Sequence, residues 1–441
     1  MNRTDTISRI LSVYCLALLA FWVVVPEIRR LIDWRLGAFH ASQALALIPL
    51  LAMGVFALAT AFRGLADASR KLLFLAWIWI GAFTYACAVG LLVGRGGSAA
   101  YDFLQFVAPM FVALWLSASA EPRSRIFRRL SAVVLAMAVG VSAYGLVQFA
   151  ALPPWDVYWM QHVTTVTHMA SIGKPHPFEV RVFSVLNSPE PCGAFLAVAI
   201  ALNLYRLSEK HFLPLAGLVL SVITLALTLV RSAWIGLIVA IAIYVIFCSK
   251  PARAISAVLG CSLLLAGFFT FASPWLAEQA GQDSFAQRVQ TFANLENDTS
   301  AEQRTQSTEE LISDAVAYPI GEGLGLIGTA AQLTSFTQSI NSIDGGLQAR
   351  LVEMGFAGFL GYVATVLLAF AFVLSRWWEA RRCGDHTGKE AMSALLAAQA
   401  ALIILDFSID SHVSLSGVLF WLTVGIALAR RARPDQPVRS S

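Results

Sequence analysis

Charge is scarce in this sequence. Only 13% of its 441 residues are charged, whereas 58% are hydrophobic, and the mean hydropathy is +0.69. A soluble globular protein carries about 25% charged residues, so this composition excludes an ordinary soluble enzyme. Apolar runs of about 20 residues, the length that crosses a bilayer as a helix, recur from one end of the chain to the other. The predicted fold class is therefore all-α, a polytopic membrane bundle.

Cysteine is also scarce, and the patterns that bind metals or nucleic acids are missing. The chain has six cysteines, none of them in a Cys-x-x-Cys pair, which argues against a disulfide framework. His162, His168 and His176 lack the spacing of metal ligands on a shared helix. No block rich in lysine and arginine contains interleaved aromatic residues, which argues against a nucleic-acid partner. We therefore expect no metal and no cofactor, with membrane lipid as the surroundings.

The apolar runs predict about twelve transmembrane helices. Their approximate bounds are 10–26, 37–61, 72–94, 99–118, 130–152, 189–206, 212–229, 231–248, 254–272, 346–374, 391–410 and 413–429. We expect one membrane domain, 1–441, with two long segments outside the bilayer. The first is 153–188. The second, 273–345, lies between the ninth and tenth predicted spans, and the helical spacing of apolar residues within 284–316 predicts that this long periplasmic loop is helical.

Lysine and arginine indicate the orientation of these spans. With the N-terminus placed in the cytoplasm, 21 of the 31 lysines and arginines fall on the cytoplasmic side and 10 on the other. Short cytoplasmic loops carry an excess of positive charge in membrane proteins, so both termini are predicted to be cytoplasmic. The first outer loop is the exception, because it would hold Arg29, Arg30 and Arg35.

The stretch 341–362 is the sharpest candidate for a functional site. A polar segment ends there, an apolar helix begins, and Asp344, Arg350 and Glu353 enter with it. Charge in a membrane helix is expected to be paired or used. Asp344 fits either a helix cap or a general base that removes a proton from a sugar hydroxyl. Arg350 and Glu353 are three residues apart on one helix face, which predicts a supporting ion pair.

Four arginines are candidate ligands for a phosphate group. Arg231 stands at the junction of two predicted spans, where a guanidinium group offers forked donors to phosphate or anchors the helix at the membrane surface. Arg181 precedes a span, and it is either a second phosphate ligand or a loop arginine paired with Glu179 or Glu190. Two further candidates lie in the segment 273–345, where nearby acidic residues also offer simple surface pairing. They are Arg288 and Arg304.

Two aspartates near the outer end of the eleventh span allow another reading. Asp406 and Asp410 are four residues apart on one face, with His412 beyond them. A proton-coupled transporter uses acidic residues in such places, although a pair of this kind is also ordinary polar structure. The glycine-rich segment 321–325 lacks the preceding strand and the lysine of a nucleotide-binding loop.

Several motifs, taken in order, resemble the O-antigen ligase / Wzy-type polysaccharide polymerase superfamily of bacterial inner-membrane proteins. The matching segments are 181–189 (RVFSVLNSP), 231–236 (RSAWIG), Arg288, 300–304 (SAEQR), 314–325, which ends in YPIGEGLG, and 344–355, which ends in LVEMG. The specific resemblance covers roughly residues 180–365. The flanking parts are similar only in being hydrophobic spans.

This resemblance implies a metal-independent glycosyltransferase on the periplasmic face of the bacterial inner membrane. Its donor would be a glycan on undecaprenyl diphosphate, its acceptor a glycan or a lipid-linked glycan. By the resemblance, Arg231, Arg288, Arg181 and Arg304 would hold the diphosphate. Asp344 occupies the position of the histidine in the His-Asn-x-x-Leu motif of ligases, and Gly345 replaces the asparagine.

The departure at these two positions favours a Wzy-type O-antigen or exopolysaccharide polymerase over a ligase that transfers glycan to lipid A core. Inversion at the anomeric carbon is expected for displacement of the diphosphate in one step. Outside this class, a secondary transporter that uses Asp406 and Asp410 is the main alternative, followed by a structural assembly subunit. The transporter would move substrate without forming a glycosidic bond, and the subunit would tolerate substitution of every outer-face charge.

Overall fold

The computed structural model describes residues 3–39, 45, 47–63, 68–119, 121–167, 172–208, 212–267, 270, 318–331 and 345–429. Within these ranges the chain forms fifteen α-helices. They are α1 (Arg3–Leu36), α2 (Leu47–Ala52), α3 (Gly54–Arg63), α4 (Arg70–Leu92), α5 (Gly96–Ser117), α6 (Arg123–Ala151), α7 (Pro154–Thr167), α8 (Pro189–Asn203), α9 (Phe212–Thr228), α10 (Arg231–Phe247), α11 (Pro251–Gly267), α12 (Gly328–Ala331), α13 (Gly346–Arg382), α14 (His386–Leu405) and α15 (Ser414–Leu428). A short 3-10 helix, Leu204–Ser208, follows α8.

The all-α membrane fold is confirmed, and every one of the twelve predicted segments overlaps a helix. Seven of the described helices are long and apolar enough to cross a membrane by length and composition. They are Ile10–Leu36, Arg70–Leu92, Gly96–Ser117, Arg123–Ala151, Pro189–Leu207, Gly346–Arg382 and His386–Leu405. Shorter apolar helices cover Leu47–Phe62, Leu213–Thr228, Arg231–Phe247 and Ser414–Leu428. The number of twelve spans stays a prediction.

The prediction of an outer loop between the first two spans, 10–26 and 37–61, is wrong. Helix α1 continues through Pro26 to Leu36, so Arg29, Arg30 and Arg35 lie in a helix and not in a loop. Arg30 is buried and forms an ion pair with Asp156 of α7, with 3.0 Å between Nη1 and Oδ1. Because Arg29 and Arg30 have acidic partners inside the protein, the helix carries these two charges without placing them in water.

The second predicted span, 37–61, is also corrected. Among the described residues of this stretch, 37–39 are not helical, and the helical part consists of two helices, Leu47–Ala52 and Gly54–Arg63, with a turn at Met53 between them. Met53 donates from its backbone nitrogen to the carbonyl oxygen of Pro49 at 3.1 Å, so the turn stays hydrogen-bonded.

Three helices form the centre of the bundle. Residues 192–203 of α8, 391–402 of α14 and 417–428 of α15 are buried without interruption. A helix that is apolar on all sides is stable only when other apolar groups surround it. Helices α4 and α13 are peripheral, because Trp77 and Leu360 are exposed and therefore suited to lipid.

Antiparallel packing of α10 against α14 brings several helix ends together. A Cβ atom at Gly236, near the start of α10, would lie 3.4 Å from Cγ of Leu405 at the end of α14. Tyr244, near the end of α10, donates its hydroxyl to Glu390, near the start of α14, at 2.7 Å. Arg231 therefore lies at the end of the bundle where α14 finishes, and we call this the site end.

The start of α8 lies at the site end too. A Cβ atom at Gly193 would be 2.9 Å from Cβ of Ala233 and 3.3 Å from Cβ of Val230. The segment that leads into α8, 172–188, packs against α7 and the end of α9. Val182 and Phe183 of this segment form a small apolar cluster with Leu227 of α9. The predicted outer segment 153–188 thus consists of α7 and an irregular part joined by a bridge between Gly173 and Val180.

Most of the predicted long segment 273–345 lies outside the described residues, including the predicted helical part 284–316. The described portion is 318–331 together with Gly345. Leu324 in this portion is fully buried in the main apolar core, so the glycine-rich part packs against the membrane helices.

Candidate functional site

Helix α13 is broken at the glycine of the LVEMG motif. The helix begins at Gly346 with Gly345 at the N-cap position, and its backbone leaves helical geometry at Gly355, where φ is 57° and ψ is −172°. A break inside a membrane helix leaves backbone groups without partners, and another part of the protein must supply them.

The glycine-rich segment 318–325 supplies these partners. Glu322 and Gly323 donate their backbone nitrogens to the carbonyl oxygens of Val352 and Glu353, each at 2.9 Å. On the other side of the break, Phe356 donates to the carbonyl oxygen of Pro319 at 3.1 Å. The segment therefore completes the hydrogen bonds that α13 loses, which gives this motif a structural role.

Helix α4 and the residues after it hold the same segment from the opposite side. Arg95 donates from Nη1 to the carbonyl oxygens of Glu322 at 2.7 Å and Gly323 at 3.2 Å. Tyr85 donates its hydroxyl to the carbonyl oxygen of Ile320 at 2.8 Å. The turn is thus clamped between α4 and the broken helix.

The predicted supporting pair on α13 is present. Nη1 of Arg350 lies 2.8 Å from Oε2 of Glu353, and both side chains are buried. The other carboxylate oxygen of Glu353, Oε1, accepts the backbone N–H groups of Leu326 and Ile327 at 3.1 and 3.2 Å. Glu353 consequently joins the arginine to the two residues that directly follow the glycine-rich segment.

Arg350 has two further acidic partners that the sequence does not pair with it. Its Nη2 donates to Oδ2 of Asp410 at 3.1 Å, and its Nη1 lies 3.9 Å from Oδ2 of Asp102 in α5. The guanidinium group also lies over the ring of Phe106, 4.5 Å from the centroid. One buried cation thus faces three carboxylates, of which only Asp410 is appreciably exposed, with 27% of its side chain accessible.

Asp406 belongs to a neighbouring hydrogen-bond network. It accepts the hydroxyl of Tyr362 at 2.7 Å and that of Ser411 at 3.1 Å. His412 Nδ1 lies 3.2 Å from its Oδ1. Burial would raise the pKa of Asp406, but His412 and the hydrogen bonds outweigh burial and hold this pKa below its ordinary value.

Asp410 behaves in the opposite way. Burial raises its pKa above the ordinary value, and the Asp406 carboxylate adds to this rise against the opposing effect of Arg350. Both aspartates have fixed protein partners, which fits the reading of Asp406, Asp410 and His412 as polar structure. These partners come from α13 and from the loop itself, so the four-residue spacing alone does not reveal them.

Arg181 and the start of α10 are brought together. Arg181 donates from Nε to the carbonyl oxygen of Thr228 and from Nη2 to that of Leu229, both at 3.1 Å. These carbonyls end α9, immediately before Val230 and Arg231. Glu190, predicted as one partner of Arg181, lies 3.9 Å from its Nη1. The side chain of Arg181 therefore reaches the carbonyl groups that come just before Arg231 in the chain, at the site end.

The remaining predicted site residues, Asp344, Arg288 and Arg304, lie outside the described residues. Gly345, which follows Asp344 in the chain, is described, and a Cβ atom there would lie 2.9 Å from the carbonyl oxygen of Phe407. A Cβ atom at Gly346 would lie 3.0 Å from Cα of Asp410. The first residues of α13 are therefore in contact with the loop that carries Asp406 and Asp410.

The described residues thus place cationic groups and carboxylates at one end of a membrane bundle. Arginines at helix ends suit an anionic group, and carboxylates near them suit proton transfer or the binding of hydroxyl groups. Among the described residues, no group of three or more histidine, cysteine, aspartate or glutamate side chains is placed to hold a metal ion.

Sequence comparison finds a family match for about one third of the chain. Residues 216–363 match a sequence model of the family described as O-antigen ligase. This match contains Arg231, the glycine-rich segment and the whole of the broken part of α13. It confirms the resemblance that the motifs predict. The chain matches no curated protein.

Proposed function

We propose that this chain is a Wzy-type polymerase of O-antigen or exopolysaccharide. The match of residues 216–363 to the family described as O-antigen ligase, in a chain whose helices suit a membrane, supports this proposal. It joins lipid-linked glycan repeats on the periplasmic face of the bacterial inner membrane. The closest alternative is an O-antigen ligase that transfers finished glycan to lipid A core. Asp344 and Gly345, which replace the histidine and asparagine of ligases, favour the polymerase.

The proposed donor is a glycan linked to undecaprenyl diphosphate. Arg231 and Arg181 bind the diphosphate, and Arg288 and Arg304 complete its charge neutralisation. Fixed guanidinium groups stabilise the negative charge that develops on a leaving diphosphate, and they do so without a divalent ion. The observation that carries this proposal is the placement of Arg181 against Leu229, two residues before Arg231, within the region that precedes and begins α10.

The proposed reaction is a single displacement. The hydroxyl oxygen of the acceptor sugar attacks the anomeric carbon of the donor, and the bond between that carbon and the diphosphate oxygen breaks. The electron pair of the broken bond leaves with undecaprenyl diphosphate, and Asp344 takes the hydroxyl proton. Attack on the face opposite the leaving group inverts the anomeric carbon.

The test is the analysis of lipid-linked and surface glycans in cells that lack this protein, complemented with variants. For a polymerase, single repeats accumulate on the carrier lipid and long chains are absent. For a ligase, long chains accumulate on the carrier and none reach the core lipid. Asp344→Asn is expected to lower chain elongation by about 10²- to 10⁴-fold, the usual contribution of a general base, and Arg231→Ala is expected to abolish complementation.

Arg376→Ala is the matched control. Arg376 lies near the opposite end of α13 and pairs there with Glu379 on the helix surface, so this variant is expected to complement as wild type does. Full elongation by both Asp344→Asn and Arg231→Ala would contradict the proposed site. An unchanged glycan profile in the deletion strain would contradict the glycosyltransferase itself.

A further inference from the structure

A buried glutamine of α6 fixes the segment that carries Arg181. Oε1 of Gln148 accepts two successive backbone N–H groups, from Phe183 at 3.0 Å and from Ser184 at 2.8 Å. One amide oxygen can accept both because it has two lone pairs. Gln148 is fully buried, so these N–H groups are held away from water.

The neighbouring N–H groups of this segment are also bonded. Arg181 donates to the carbonyl oxygen of Ile172 at 3.0 Å, and Val182 donates to that of Leu227 at 3.1 Å. Ser184 has a φ of 52°, a left-handed conformation that is costly for a residue with a side chain. The surrounding contacts must over-determine such a conformation, and those of Gln148 are among them.

Asp156 of α7 determines which way the Gln148 amide faces. Nε2 of Gln148 donates to Oδ2 of Asp156 at 2.8 Å. A carboxylate only accepts hydrogen bonds, so the amide nitrogen must face it and the amide oxygen must face Phe183 and Ser184. Asp156 is fully buried and is held by Arg30 at 3.0 Å.

Arg30 also reaches the segment directly. Its Nη2 donates to the carbonyl oxygen of Ser184 at 2.6 Å, and its guanidinium group lies 4.8 Å from the centroid of the Phe183 ring. Glu27 pairs with Arg30 one turn earlier on α1. Helices α1, α6 and α7 thus meet at one buried polar cluster, which holds residues 183 and 184 by hydrogen bonds to their backbone.

The hydrogen bonds that hold residues 183 and 184 also determine where the side chain of Arg181 lies. Two residues separate Arg181 from Ser184, and its side chain spans to Thr228 and Leu229 at the end of α9. A shift of the segment would move the guanidinium group away from the start of α10. Displacements of about 1 Å in positioned groups are enough to weaken recognition strongly.

We propose that Gln148 is a positioning residue for the donor diphosphate, acting through Arg181, with Asp156 and Arg30 setting the orientation of its amide. The inference rests on the proposed function, because it takes Arg181 to be a diphosphate ligand. It adds α1, α6 and α7 to the machinery of donor binding, although none of them lies in the matched domain.

The test exchanges the polarity of the contact between residues 148 and 156. Gln148→Glu keeps an acceptor for the two N–H groups but sets two carboxylates face to face, which pushes the side chain from its position. Adding Asp156→Asn restores a donor opposite the new carboxylate and leaves the charge of the cluster unchanged. The double variant is therefore expected to recover what the single variant loses.

Binding of undecaprenyl diphosphate to the full-length protein in lipid nanodiscs is the measurement. Gln148→Glu is expected to weaken binding by about tenfold, the effect of losing a hydrogen bond to a charged group. The double variant is expected to bind within about threefold of wild type. Undecaprenol, which has no phosphate, is expected to bind all variants equally, and Gln399→Glu, a change to another buried glutamine that bonds Thr423, is expected to bind the diphosphate as wild type does.

Equal binding of the diphosphate by wild type and Gln148→Glu would overturn the inference and leave the proposed function standing. An equal loss for undecaprenol would also overturn it, because it would show general damage to the fold. If Gln148→Glu does not fold, Gln148→Met removes both the acceptor for Phe183 and Ser184 and the donor to Asp156 without adding charge, and it must show a selective loss of diphosphate binding. Failure of wild type to bind the diphosphate would overturn the proposed donor itself.

Discussion

At the scale of single residues, Arg350 decides the electrostatics of the broken helix. Three carboxylates face this one buried guanidinium, at 2.8, 3.1 and 3.9 Å. Removing one partner of a buried ion pair leaves an uncompensated charge, which typically costs about 3–5 kcal/mol. With three carboxylates and one cation, protonation of a carboxylate lowers the net negative charge of the cluster. Asp410 is the member with both a raised pKa and access to water.

The effect of pH on stability tests this assignment. A carboxyl group whose pKa is higher in the folded than in the unfolded protein binds its proton more tightly when folded, so its contribution to stability falls as the pH rises from about 3.9, the ordinary value for aspartate, through the raised pKa. Asp410→Asn cannot titrate. We therefore expect the melting temperature of Asp410→Asn, relative to wild type, to rise as the pH increases above about 4.

Thermal unfolding in detergent at several pH values measures this difference, with Asp385→Asn as a control at the opposite end of α14. Asp385 caps that helix by accepting the backbone N–H of Gly388 at 2.8 Å. A melting-temperature difference for Asp410→Asn that stays flat, or falls with pH, would show that Asp410 is not the protonated member.

The sequence predicted only part of this cluster. The spacing of Arg350 and Glu353 follows from the helix repeat, so their pairing could be read directly from the chain. Asp102 and Asp410 reach the same arginine from α5 and from the loop after α14, and only the packing of distant helices brings them there. An acidic residue inside an apolar span was the one available signal for Asp102.

At the scale of elements, the break in α13 and the glycine-rich segment form one unit. Each supplies the hydrogen bonds that the other lacks, and their backbones approach too closely for side chains. A Cβ atom at Gly321, where φ is 85°, would overlap the backbone nitrogen of Gly355 in α13. A Cβ atom at Gly323, where φ is 89°, would overlap the backbone of Gly90 in α4, which packs against the same segment. The motif YPIGEGLG therefore reflects close backbone packing and not a nucleotide site.

Gly323→Ala is expected to damage this unit. Alanine at a left-handed φ costs about 1–2 kcal/mol, and overpacking against Gly90 adds about 1–3 kcal/mol. Gly81→Ala in α4 is the matched control, because a Cβ atom there meets nothing within 4 Å and alanine favours a helix over glycine by about 1 kcal/mol. Melting temperatures of the purified variants are the measurement, and equal values for Gly323→Ala and Gly81→Ala would refute the close approach.

The sequence predicted the presence of the helices better than it predicted where they end. Every predicted span overlaps a helix, because a helix that is buried in lipid or in the bundle requires an apolar run. The end of α1 was missed because Pro26 and Glu27 look like a stop signal, whereas the helix passes both. Its continuation depends on Asp156, Tyr144 and Ser184, which bind the charged residues from other elements.

At the scale of the whole molecule, the helix directions place all described site residues at one end. Arg231 begins α10 where α14 ends, α8 starts beside α10, and α13 starts beside the loop after α14. The distribution of lysine and arginine favours the opposite end as cytoplasmic. Together these arguments predict that the site end faces the periplasm, as a polymerase of lipid-linked repeats requires.

Labelling of single cysteines tests this orientation. Cys383 lies exposed in the turn between α13 and α14, at the end opposite the site. Tyr318, exposed at the start of the glycine-rich segment, offers a position at the site end.

With the other cysteines replaced, a maleimide that cannot cross membranes is expected to label Tyr318→Cys in intact cells once the outer membrane is made permeable. It is expected to label Cys383 only after the inner membrane is opened. Labelling in the reverse order would place the arginines in the cytoplasm, where the proposed periplasmic reaction could not occur, so this measurement tests the function as well as the topology.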